Sequence, residues 1–391
     1  MAKRILRFSF FLVVFVITGC KAESSQPEEF VKLNIIRADI VSDTLPGLVP
    51  WIAKAENGDW IVCSFDKNDM ITGASTNFVR SSDQGRTWSK PYLSMKSHLP
   101  KSQLLGMIQS LPDGRLAAGI TDVELADNGQ RYYHFFYAVS TNNGLTFDER
   151  QRLNDPNSPN DFAQGSFVKL PNGDLFWPWG RWSPDPYNGF RRSVDAGKTW
   201  QPAIKAWQDP PNGEKECLIF NETAVVVCKD KSLVAIARTD KKPEKKFWQI
   251  KSSNNGKTWT MPIQLELAGG SPALYCMPNG LLLFAFRDAG NAPGIAIAAS
   301  KDNGDSWKLI CHLKDPTGEF EKLYSNVKWS EDDLKKAWRP AEGMAGYPCF
   351  LPVSENQVYV VFHLYNKKLL ERFGSEADPF YIAGNLIQIS E

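Results

Sequence analysis

The sequence predicts an all-β chain folded as a six-bladed β-propeller, and two repeated patterns support this fold class. The first pattern is an octet with the consensus Ser-x-[Asp/Asn]-x-Gly-x-[Ser/Thr]-[Trp/Phe]. The second is a pair of apolar runs joined by a short turn, which precedes each octet. Repeats at a nearly regular spacing indicate an architecture built from similar units. The octets stand at residues 81–88, 140–147, 193–200, 252–259 and 300–307.

Each octet has the composition of a tight turn between two strands. Asp or Asn bonds its own backbone, and Gly takes a positive φ without steric cost. The hydroxyl groups add further bonds from side chain to backbone, and the final aromatic residue packs into an apolar layer. The octet is therefore interpreted as a clamp on a hairpin and not as a catalytic motif.

Six apolar hairpins predict the inner strands of six four-stranded units. In the first five units, a third strand, the octet and a fourth strand follow the hairpin. The sixth unit has no octet; residues 380–390 are predicted as its third strand and residues 31–42 as its fourth, so that the N-terminal strand closes the ring. Solenoid and jelly-roll folds remain alternatives, and no second domain is predicted. The first strands of the hairpins begin at Val49, Leu105, Gln164, Glu222, Ser271 and Tyr347.

Composition narrows the function classes. The chain has 391 residues, of which 42% are hydrophobic, and its formal net charge is +1. This length is ample for a sizeable core, but the charge offers no basic surface for nucleic acid. The chain contains four histidines and neither a CxxC nor an HExxH spacing. We therefore expect no metal and no cofactor.

The N-terminal residues have the features of an export signal. A basic segment, MAKRILR, precedes an apolar run that is too short to span a bilayer as a helix. The run ends at Cys20, and VITGC resembles the bacterial lipoprotein signal, in which the cysteine is lipidated after cleavage. We expect a signal peptide at 1–20, a polar tether at 21–30 and the propeller at 31–391. The protein would then be exported and anchored by lipid at the periplasmic or cell-surface face of a membrane; an ordinary secretory signal is the alternative.

One face of the predicted propeller collects charged residues near its axis. The first strand of each unit begins, and the second ends, at the same end of the sheet, whereas the octets lie at the other end. Three successive second strands end in arginine, whose guanidinium binds carboxylates well. We predict an anion-binding glycan site there; a charge-balanced ring that faces water is the alternative. The second strands end at Asp66, Asp122, Arg181, Arg238, Arg287 and His363.

The octets resemble the Asp boxes of bacterial sialidases, which are six-bladed propellers, and the resemblance covers nearly the whole chain after the tether. The segment FNETAVVVCKDKSLVAIAR at 220–238 is similar to their fourth-blade segment. LLLFAFRDAG at 281–290 resembles the fifth, and AGYPCFLPVSENQVYVVFH at 345–363 the sixth. The resemblance implies that Tyr347 is the catalytic nucleophile and that Glu222 polarises it.

Further roles follow from the same resemblance. Arg238 and Arg287 would bind the carboxylate of the substrate, and the acid/base residue would be Asp69 or Asp66, in the loop after the first hairpin. The remaining substrate-binding candidates are Arg181, Asp122, Gln164 and His363.

The implied activity is hydrolysis of a terminal acidic sugar from a glycan or glycoconjugate, as in an exo-α-sialidase, with retention of configuration. Sialidases are the glycosidases that use a tyrosine nucleophile. Their substrate carries a carboxylate on the anomeric carbon, which would repel an anionic nucleophile, so a neutral phenol activated by a carboxylate is favoured. An aspartic acid then protonates the leaving oxygen and later activates water.

One departure from the sialidase pattern affects the substrate. The family's first-blade signature is Arg-Ile-Pro, but this chain has Leu48 in the arginine position, and Arg37 lies eleven residues earlier. The acidic sugar could therefore be another ulosonic acid or a uronic acid. A glycosidase or polysaccharide lyase for another sugar such as rhamnose, with His363 or Tyr347 as base or acid, and a non-catalytic glycan-binding propeller remain alternatives.

Overall fold

The protein is almost entirely β-sheet in a computed structural model. Residues Val31–Glu391 form one compact unit. No helix within the described residues is long and apolar enough to cross a membrane. The structure describes residues 30–44, 46–66, 75–94, 102–125, 129, 131–147, 150–154, 161–181, 187–208, 220–239, 245–288, 294–320, 322, 345–366, 368–369 and 379–390.

The described part of the chain contains 23 strands. In chain order these are β1 (Lys32–Ser42), β2 (Leu48–Lys54), β3 (Trp60–Phe65), β4 (Thr76–Ser81), β5 (Ser102–Ser110), β6 (Leu116–Leu125), β7 (Arg131–Ser140), β8 (Gln151–Arg152), β9 (Asp161–Ala163), β10 (Val168–Lys169), β11 (Leu175–Arg181), β12 (Tyr187–Ser193), β13 (Ile204–Lys205), β14 (Phe220–Val227), β15 (Leu233–Thr239), β16 (Lys246–Ser252), β17 (Ile263–Cys276), β18 (Leu282–Asp288), β19 (Gly294–Ser300), β20 (Lys308–His312), β21 (Ala345–Ser354), β22 (Gln357–Tyr365) and β23 (Phe380–Ser390).

These strands pair antiparallel as a series of up-and-down sheets. The sheets are β2-β3-β4, β5-β6-β7-β8, β10-β11-β12-β13 with β9 on β11, β14 to β20, and β21-β22-β23-β1. In the last sheet the N-terminal strand pairs with the C-terminal strand, with Lys32 opposite Ser390. The predicted closure of the ring by residues 31–42 is therefore confirmed.

Not all of the predicted units form separate four-stranded sheets. Four sheets of the described structure have four strands or more, while β2-β3-β4 has three and continues only through a bridge between Phe78 and Tyr92. The seven-stranded sheet forms because β17 runs without a break from one partner to the next. Its first part pairs with β16, and from Gly269 onward it pairs with β18. The all-β propeller is confirmed, but six separate four-stranded sheets are not found.

The apolar core lies between neighbouring sheets. Strands β18 and β19 are buried on both faces. Each face of such a sheet packs against a neighbouring sheet. Between β7 and β11 the packing is aromatic: the ring of Phe135 lies 5.4 Å from that of Trp177 and 4.8 Å from that of Trp179, both edge-on. Burying an aromatic side chain of this kind contributes about 1.5–3 kcal/mol to folding.

The first strands of the hairpins surround the axis. They line one cavity of about 460 Å³, to which β2, β5, β14, β17 and β21 contribute together with residues 165–169. The lining is mostly apolar along its length, with Ile52, Ile108 and Val225 among its residues.

The octets have the hydrogen bonds that their composition predicts. In the first, Ser81 Oγ donates to Asp83 Oδ1 at 2.7 Å and accepts the Gly85 N–H at 2.8 Å, while the Thr87 N–H donates to Asp83 Oδ1 at 2.9 Å. Where Asn replaces Asp, the Thr146 N–H still donates to Asn142 Oδ1 at 2.9 Å, and the Asn142 amide donates to the Thr146 hydroxyl at 2.7 Å. In the first octet the direction of that side-chain bond is reversed, because the Thr87 hydroxyl donates to Asp83 Oδ2 at 2.6 Å. The interpretation of the octets as structural turns is confirmed.

Arginine side chains also join three of the octets to the preceding sheet. Arg80 donates to the carbonyl oxygen of Asn143, and Arg192 donates to that of Asn255. Arg37 donates to the carbonyl oxygen of Gln84 at 2.7 Å. Each acceptor stands just before the glycine of an octet in the next sheet. Arg37 is therefore part of the ring closure, on the octet face, and does not fold back to the position of Leu48.

Candidate active site

Four first strands begin with the same irregularity at the axial mouth opposite the octets. Val49, Glu222, Ser271 and Tyr347 have φ values of 49°, 47°, 52° and 52°. At each of them the register with the second strand shifts, which is the mark of a β-bulge. Positive φ costs a residue with a side chain about 1–3 kcal/mol, and such strained residues cluster at functional sites as well as in tight turns.

Two of these bulge residues form a hydrogen-bonded pair. Tyr347 Oη donates to Glu222 Oε1 at 2.6 Å, although the residues are 125 positions apart. Burial and the charge of Glu222 raise the pKa of the Tyr347 phenol well above its usual range, and Arg238 and Arg287 only partly offset them. The phenol is therefore neutral, and its hydroxyl is held by the Glu222 carboxylate.

Positive groups and hydrogen-bond donors surround the Glu222 carboxylate. Arg238 Nε lies 2.7 Å from Oε2 in an ion pair, and the Ser271 N–H donates to Oε2 at 2.8 Å. Burial acts to raise the pKa of Glu222, but Arg238, Arg287, the Tyr347 hydroxyl and the Ser271 amide together lower it. Glu222 is therefore ionised at neutral pH.

Gly270 makes room for the guanidinium of Arg287, and Gly346 lies beside the same group. A Cβ on Gly270 would lie 2.7 Å from Arg287 Nη2, and a Cβ on Gly346 would lie 3.7 Å from Nη1. These glycines immediately precede the bulge residues Ser271 and Tyr347. The missing side chain of Gly270 lets the Arg287 guanidinium lie beside the first strands, where its charge acts on Glu222 and Tyr347.

His363 is buried beside the same pair. It is 3% exposed, and its ring centroid lies 5.8 Å from that of Tyr347 and 5.1 Å from that of Phe380. Its Nδ1 accepts the Val49 N–H at 3.1 Å. Burial, followed by the charge of Arg287, lowers the pKa of His363 to about 3, so the imidazole is neutral.

Other candidate residues have partners away from the Tyr347–Glu222 pair. Arg181 forms an ion pair with Asp161 at the end of β11. Asp122 pairs with Arg150 at 3.2 Å, and both side chains are buried. The structure thus places these charges in local pairs and does not bring them to the Glu222 carboxylate.

Gln164 is also engaged locally, because its Nε2 donates to Asn188 Oδ1 at 2.7 Å. Asp66 closes the loop that follows β3: its Oδ1 accepts the Ser75 N–H at 2.7 Å. Asp69 and Cys20 lie outside the described residues. Of the two candidates for the acid/base residue, the structure therefore describes only Asp66.

Leu48, in the position of the family's first arginine, is 8% exposed and belongs to an apolar cluster with Phe65 and Ile120. No group of three or more metal-ligating side chains occurs in the part of the chain that the structure describes.

Sequence reasoning missed the residues that position the pair. Ser271 supplies an amide, and Gly270 and Gly346 supply space, yet none of them carries a reactive group. A weak signal is present: Gly270-Ser-Pro and Gly346-Tyr-Pro share a Gly-x-Pro pattern in which the middle residue is the bulge. Leu48-Val-Pro has the same final proline but no glycine.

A family model described as a BNR repeat-like domain matches residues 128–360. The chain belongs to the BNR repeat-like domain family. Membership agrees with the octets, and it confirms the resemblance to the Asp-box propellers.

Sequence relatives of this BNR repeat-like protein include a sialidase from Bacteroides fragilis (strain YCH46). It is 26% identical over 167 residues, a match that covers 34% of this chain and 30% of that protein. The chain thus matches less than a third of the length of that relative.

Several solved structures share the fold. A protein of unknown function from Dyadobacter fermentans has a TM-score of 0.71 at 17% identity, covering 92% of this chain and 99% of its own. The NanB sialidase from Streptococcus pneumoniae has a TM-score of 0.57 at 11% identity, over 92% of this chain and 70% of its own. The α-L-arabinofuranosidase Arb93A from Fusarium graminearum has a TM-score of 0.61 at 11% identity, over 92% and 98%. At these identities the similarity shows a common propeller fold and leaves the sugar open.

Proposed function

We propose that the protein is a retaining exo-glycosidase with Tyr347 as its nucleophile and Glu222 as the base that activates it. The observation that carries this proposal is the 2.6 Å hydrogen bond from Tyr347 Oη to Glu222 Oε1. Both residues occupy bulge positions at the starts of strands whose following residues line the axial cavity. A nucleophile within hydrogen-bond reach of an oriented base is the signature of covalent catalysis.

The reaction proceeds in two displacements at the anomeric carbon. In the first, Glu222 accepts the phenol proton, Tyr347 Oη bonds to the carbon, and the bond to the leaving oxygen breaks as Asp66 or Asp69 protonates that oxygen. In the second, water gives a proton to the same aspartate and bonds to the carbon, while the departing tyrosine oxygen recovers its proton from Glu222. Two inversions retain the configuration.

The charge at the site favours an acidic sugar. Glu222 carries one negative charge, while Arg238 and Arg287 carry two positive charges and both act on it. An anionic group on the substrate would balance the excess. Sialic acid or a related terminal acidic sugar of a glycan is therefore the substrate class that we propose.

A second candidate follows from Leu48. Its burial in an apolar cluster removes one guanidinium from the clamp expected for sialic acid. This favours a uronic acid or another sugar such as rhamnose, for a glycosidase or a lyase on the same scaffold. The similarity to an α-L-arabinofuranosidase is consistent with a different sugar, and glycan binding without catalysis is a third possibility.

We also infer that the propeller has six blades. The first strands of all six hairpins contribute to one axial cavity, and β17 changes partner from β16 to β18 at Gly269. Its first part would be the outer strand of the fourth blade and its second part the inner strand of the fifth.

We propose that the protein is exported and anchored by lipid at Cys20. The basic segment, the apolar run and the VITGC sequence support this proposal. Metabolic labelling with a palmitate analogue in a bacterial host should label the wild type and not Cys20→Ser. If Cys20→Ser is still labelled, the proposed lipid anchor at Cys20 is refuted.

The experiment that tests the enzymatic proposal is turnover of a fluorogenic α-sialoside by the wild type, Glu222→Gln and Tyr347→Phe. We expect turnover by the wild type and loss in both variants. Tyr275→Phe and Glu266→Gln are matched controls that should retain activity, because Tyr275 faces the apolar cavity and the Glu266 side chain is 93% exposed. If the wild type does not hydrolyse the α-sialoside, the same assay is repeated with glucuronide, rhamnoside and arabinofuranoside substrates. Turnover of one of them would indicate another sugar, and no turnover would indicate glycan binding without catalysis.

A further inference from the structure

The axial cavity is a concave surface distinct from the Tyr347–Glu222 pair, since neither of these residues lines it. Its volume of about 460 Å³ lies within the range of small-molecule sites. Residues 272–276 and 348–352 belong to its wall, and five residues of an extended strand span about 13 Å. Every residue of 272–276 is partly exposed. The axial cavity is therefore elongated and open to solvent.

The wall of the axial cavity is apolar over most of its length. Ile52, Val225 and Leu274 contribute aliphatic side chains. Tyr275 and Phe350 add two aromatic rings whose centroids are 6.0 Å apart. Burial of apolar ligand surface against such a wall is favourable by about 25 cal/mol per Å². The wall therefore favours a ligand with an elongated apolar body.

The last residues of the first strands form the end of the axial cavity on the octet side. The turn after β2 contacts the second octet there, because the Asn57 N–H donates to Asn143 Oδ1 at 3.3 Å. Lys54 ends β2, Ser110 ends β5 and Lys169 ends β10. All three line the cavity. Two lysines are therefore placed at one end of a cavity whose wall is otherwise apolar.

The acidic side chains of the adjacent turns do not neutralise these lysines. Neither Lys54 nor Lys169 has an ion pair with another residue in the described part of the chain. The Glu56 carboxyl carbon lies 3.1 Å from the point where a Cβ on Gly114 would stand, so this side chain lies over the next turn. The other acids of these turns are paired with arginines, as Asp59–Arg80, Asp113–Arg115 and Asp174–Arg192.

Gln109 has an unused hydrogen-bond acceptor one residue inside the two lysines. Its Nε2 donates to the carbonyl oxygen of Phe167 at 2.7 Å. Its Oε1 is buried and has no hydrogen-bond partner among the described residues, and Gln109 lines the axial cavity. A buried acceptor without a donor loses the free energy of its hydrogen bond with water. A hydroxyl group on a ligand would supply that donor.

We propose that the axial cavity binds an amphipathic hydroxy acid, with its carboxylate at Lys54 and Lys169, its hydroxyl group on Gln109 Oε1 and its apolar chain along the cavity. The lysines match one anionic group, and the apolar wall with a few polar groups at one end is typical of a small-molecule site. This site lies at the octet end of the propeller and does not depend on the proposed reaction at Tyr347.

The test is titration calorimetry with 3-hydroxydecanoic acid, decanoic acid and decane-1,3-diol. Decanoic acid lacks the hydroxyl group, and the diol carries a neutral hydroxymethyl group in place of the carboxylate. We expect the wild type to bind the hydroxy acid most tightly. Lys54→Ala and Lys169→Ala should each weaken its binding about 2- to 5-fold, because both side chains are exposed. The double variant should bind the hydroxy acid and the diol equally.

Three further variants check the position of the ligand. Lys257→Ala is the matched control and should change nothing, because Lys257 is an exposed lysine of the fourth octet and does not line the cavity. Gln109→Leu should lose the preference for the hydroxy acid over decanoic acid. Ala273→Phe, at a partly exposed position of the wall, should fill the cavity and abolish binding of all three compounds.

Several outcomes would overturn the proposal. These are no binding by the wild type, binding that a folded Ala273→Phe protein leaves unchanged, and an acid preference that the double lysine variant retains. A preference for the hydroxy acid that persists in Gln109→Leu would refute the hydroxyl contact. If Ala273→Phe does not fold, the lysine variants decide, since their changed side chains are exposed. The measurements need no turnover, so failure of the enzymatic proposal would leave their result unaffected.

Discussion

Tyr347 and Glu222 lie on strands separated by one intervening first strand, and that strand also contributes to their contact. Ser271, on β17, donates its N–H to Glu222 Oε2 while Tyr347 donates its hydroxyl to Oε1. All three are bulge residues with positive φ. The bulge turns each residue out of the regular alternation of its strand, so one repeated backbone irregularity brings together the Glu222 carboxylate and the Tyr347 hydroxyl, the proposed base and nucleophile.

The first prediction concerns the pH dependence of stability through Glu222. Its pKa in the folded state is lowered, so its contribution is present above the unfolded value of about 4.3 and is lost as the pH falls through the folded value. At pH 7, Glu222→Gln should lower the free energy of unfolding by about 1–3 kcal/mol, because it removes the carboxylate that is paired with the half-buried Arg238. Denaturant titrations should show that the difference in free energy of unfolding between wild type and variant becomes smaller as the pH falls toward 3. A gap that is independent of pH would contradict this account.

The second prediction concerns His363, whose pKa is lowered to about 3. The unfolded chain takes up this proton near pH 6.5, before the folded protein does, so the wild type should lose stability as the pH falls from about 6.5 toward 3. The slope from this one group is at most about 1.4 kcal/mol per pH unit. His363→Asn, which has no titrating ring, should show a flatter curve over that range. Parallel curves would show that His363 is not buried as a neutral imidazole.

The third prediction concerns Gly270. A Cβ there would lie 2.7 Å from Arg287 Nη2, which is the end of a flexible side chain. Gly270→Ala should therefore displace the guanidinium and raise KM for an acidic substrate about tenfold, with little change in melting temperature. In an Arg287→Ala background the same change should have no further effect on KM. If the effects of the two changes on KM are additive, Gly270→Ala acts through a group other than Arg287.

The fourth prediction separates the octets from the site. Ser193 is fully buried, and its Oγ accepts the Gly197 N–H at 2.8 Å and donates to Asp195 at 2.8 Å. Ser193→Ala leaves a buried N–H without an acceptor and should lower the free energy of unfolding by about 1–3 kcal/mol. Ligand binding at the opposite face should not change. Val194→Ala is the matched control, since Val194 is 62% exposed and its loss should be nearly neutral.

The fifth prediction concerns Leu48. It is 8% exposed and packs in an apolar cluster with Phe65, so Leu48→Arg should lower the free energy of unfolding by about 3 kcal/mol or more. It should not improve the KM for an α-sialoside. Leu48→Met, with a similar volume, should cost less than about 1.5 kcal/mol. A stable Leu48→Arg protein with a lower KM would show that the missing arginine alone limits sialoside recognition.

Much of the fold follows from local chemistry. The octet hydrogen bonds are made within eight consecutive residues, as between Ser81 and Gly85, so their pattern is legible along the chain. The closure of the last sheet was also predictable, because residues 31–42 and 380–390 are unpaired β-strand patterns at the two ends. The joining of two sheets through β17 was not predictable. Whether Ile263–Cys276 forms one continuous strand or two separate strands depends on the backbone conformation at Gly269 and Gly270, where the strand changes its partner.

The sequence by itself determined which residues stand at the axial mouth. In a regular up-and-down repeat, the start of each first strand and the end of each second strand lie at the same end of the sheet. It predicted Glu222, Tyr347, Arg238 and Arg287 there from their positions alone. The family resemblance already paired Glu222 with Tyr347, but only the tertiary structure decided which of the other mouth residues have local partners. Arg181 and Asp122 found partners in Asp161 and Arg150, while Glu222 and Tyr347 found each other. The physical reason is that an ion pair or a hydrogen bond depends on distances of about 3 Å, and those are set by bulges, glycines and packing between sheets that leave little trace in the order of residues.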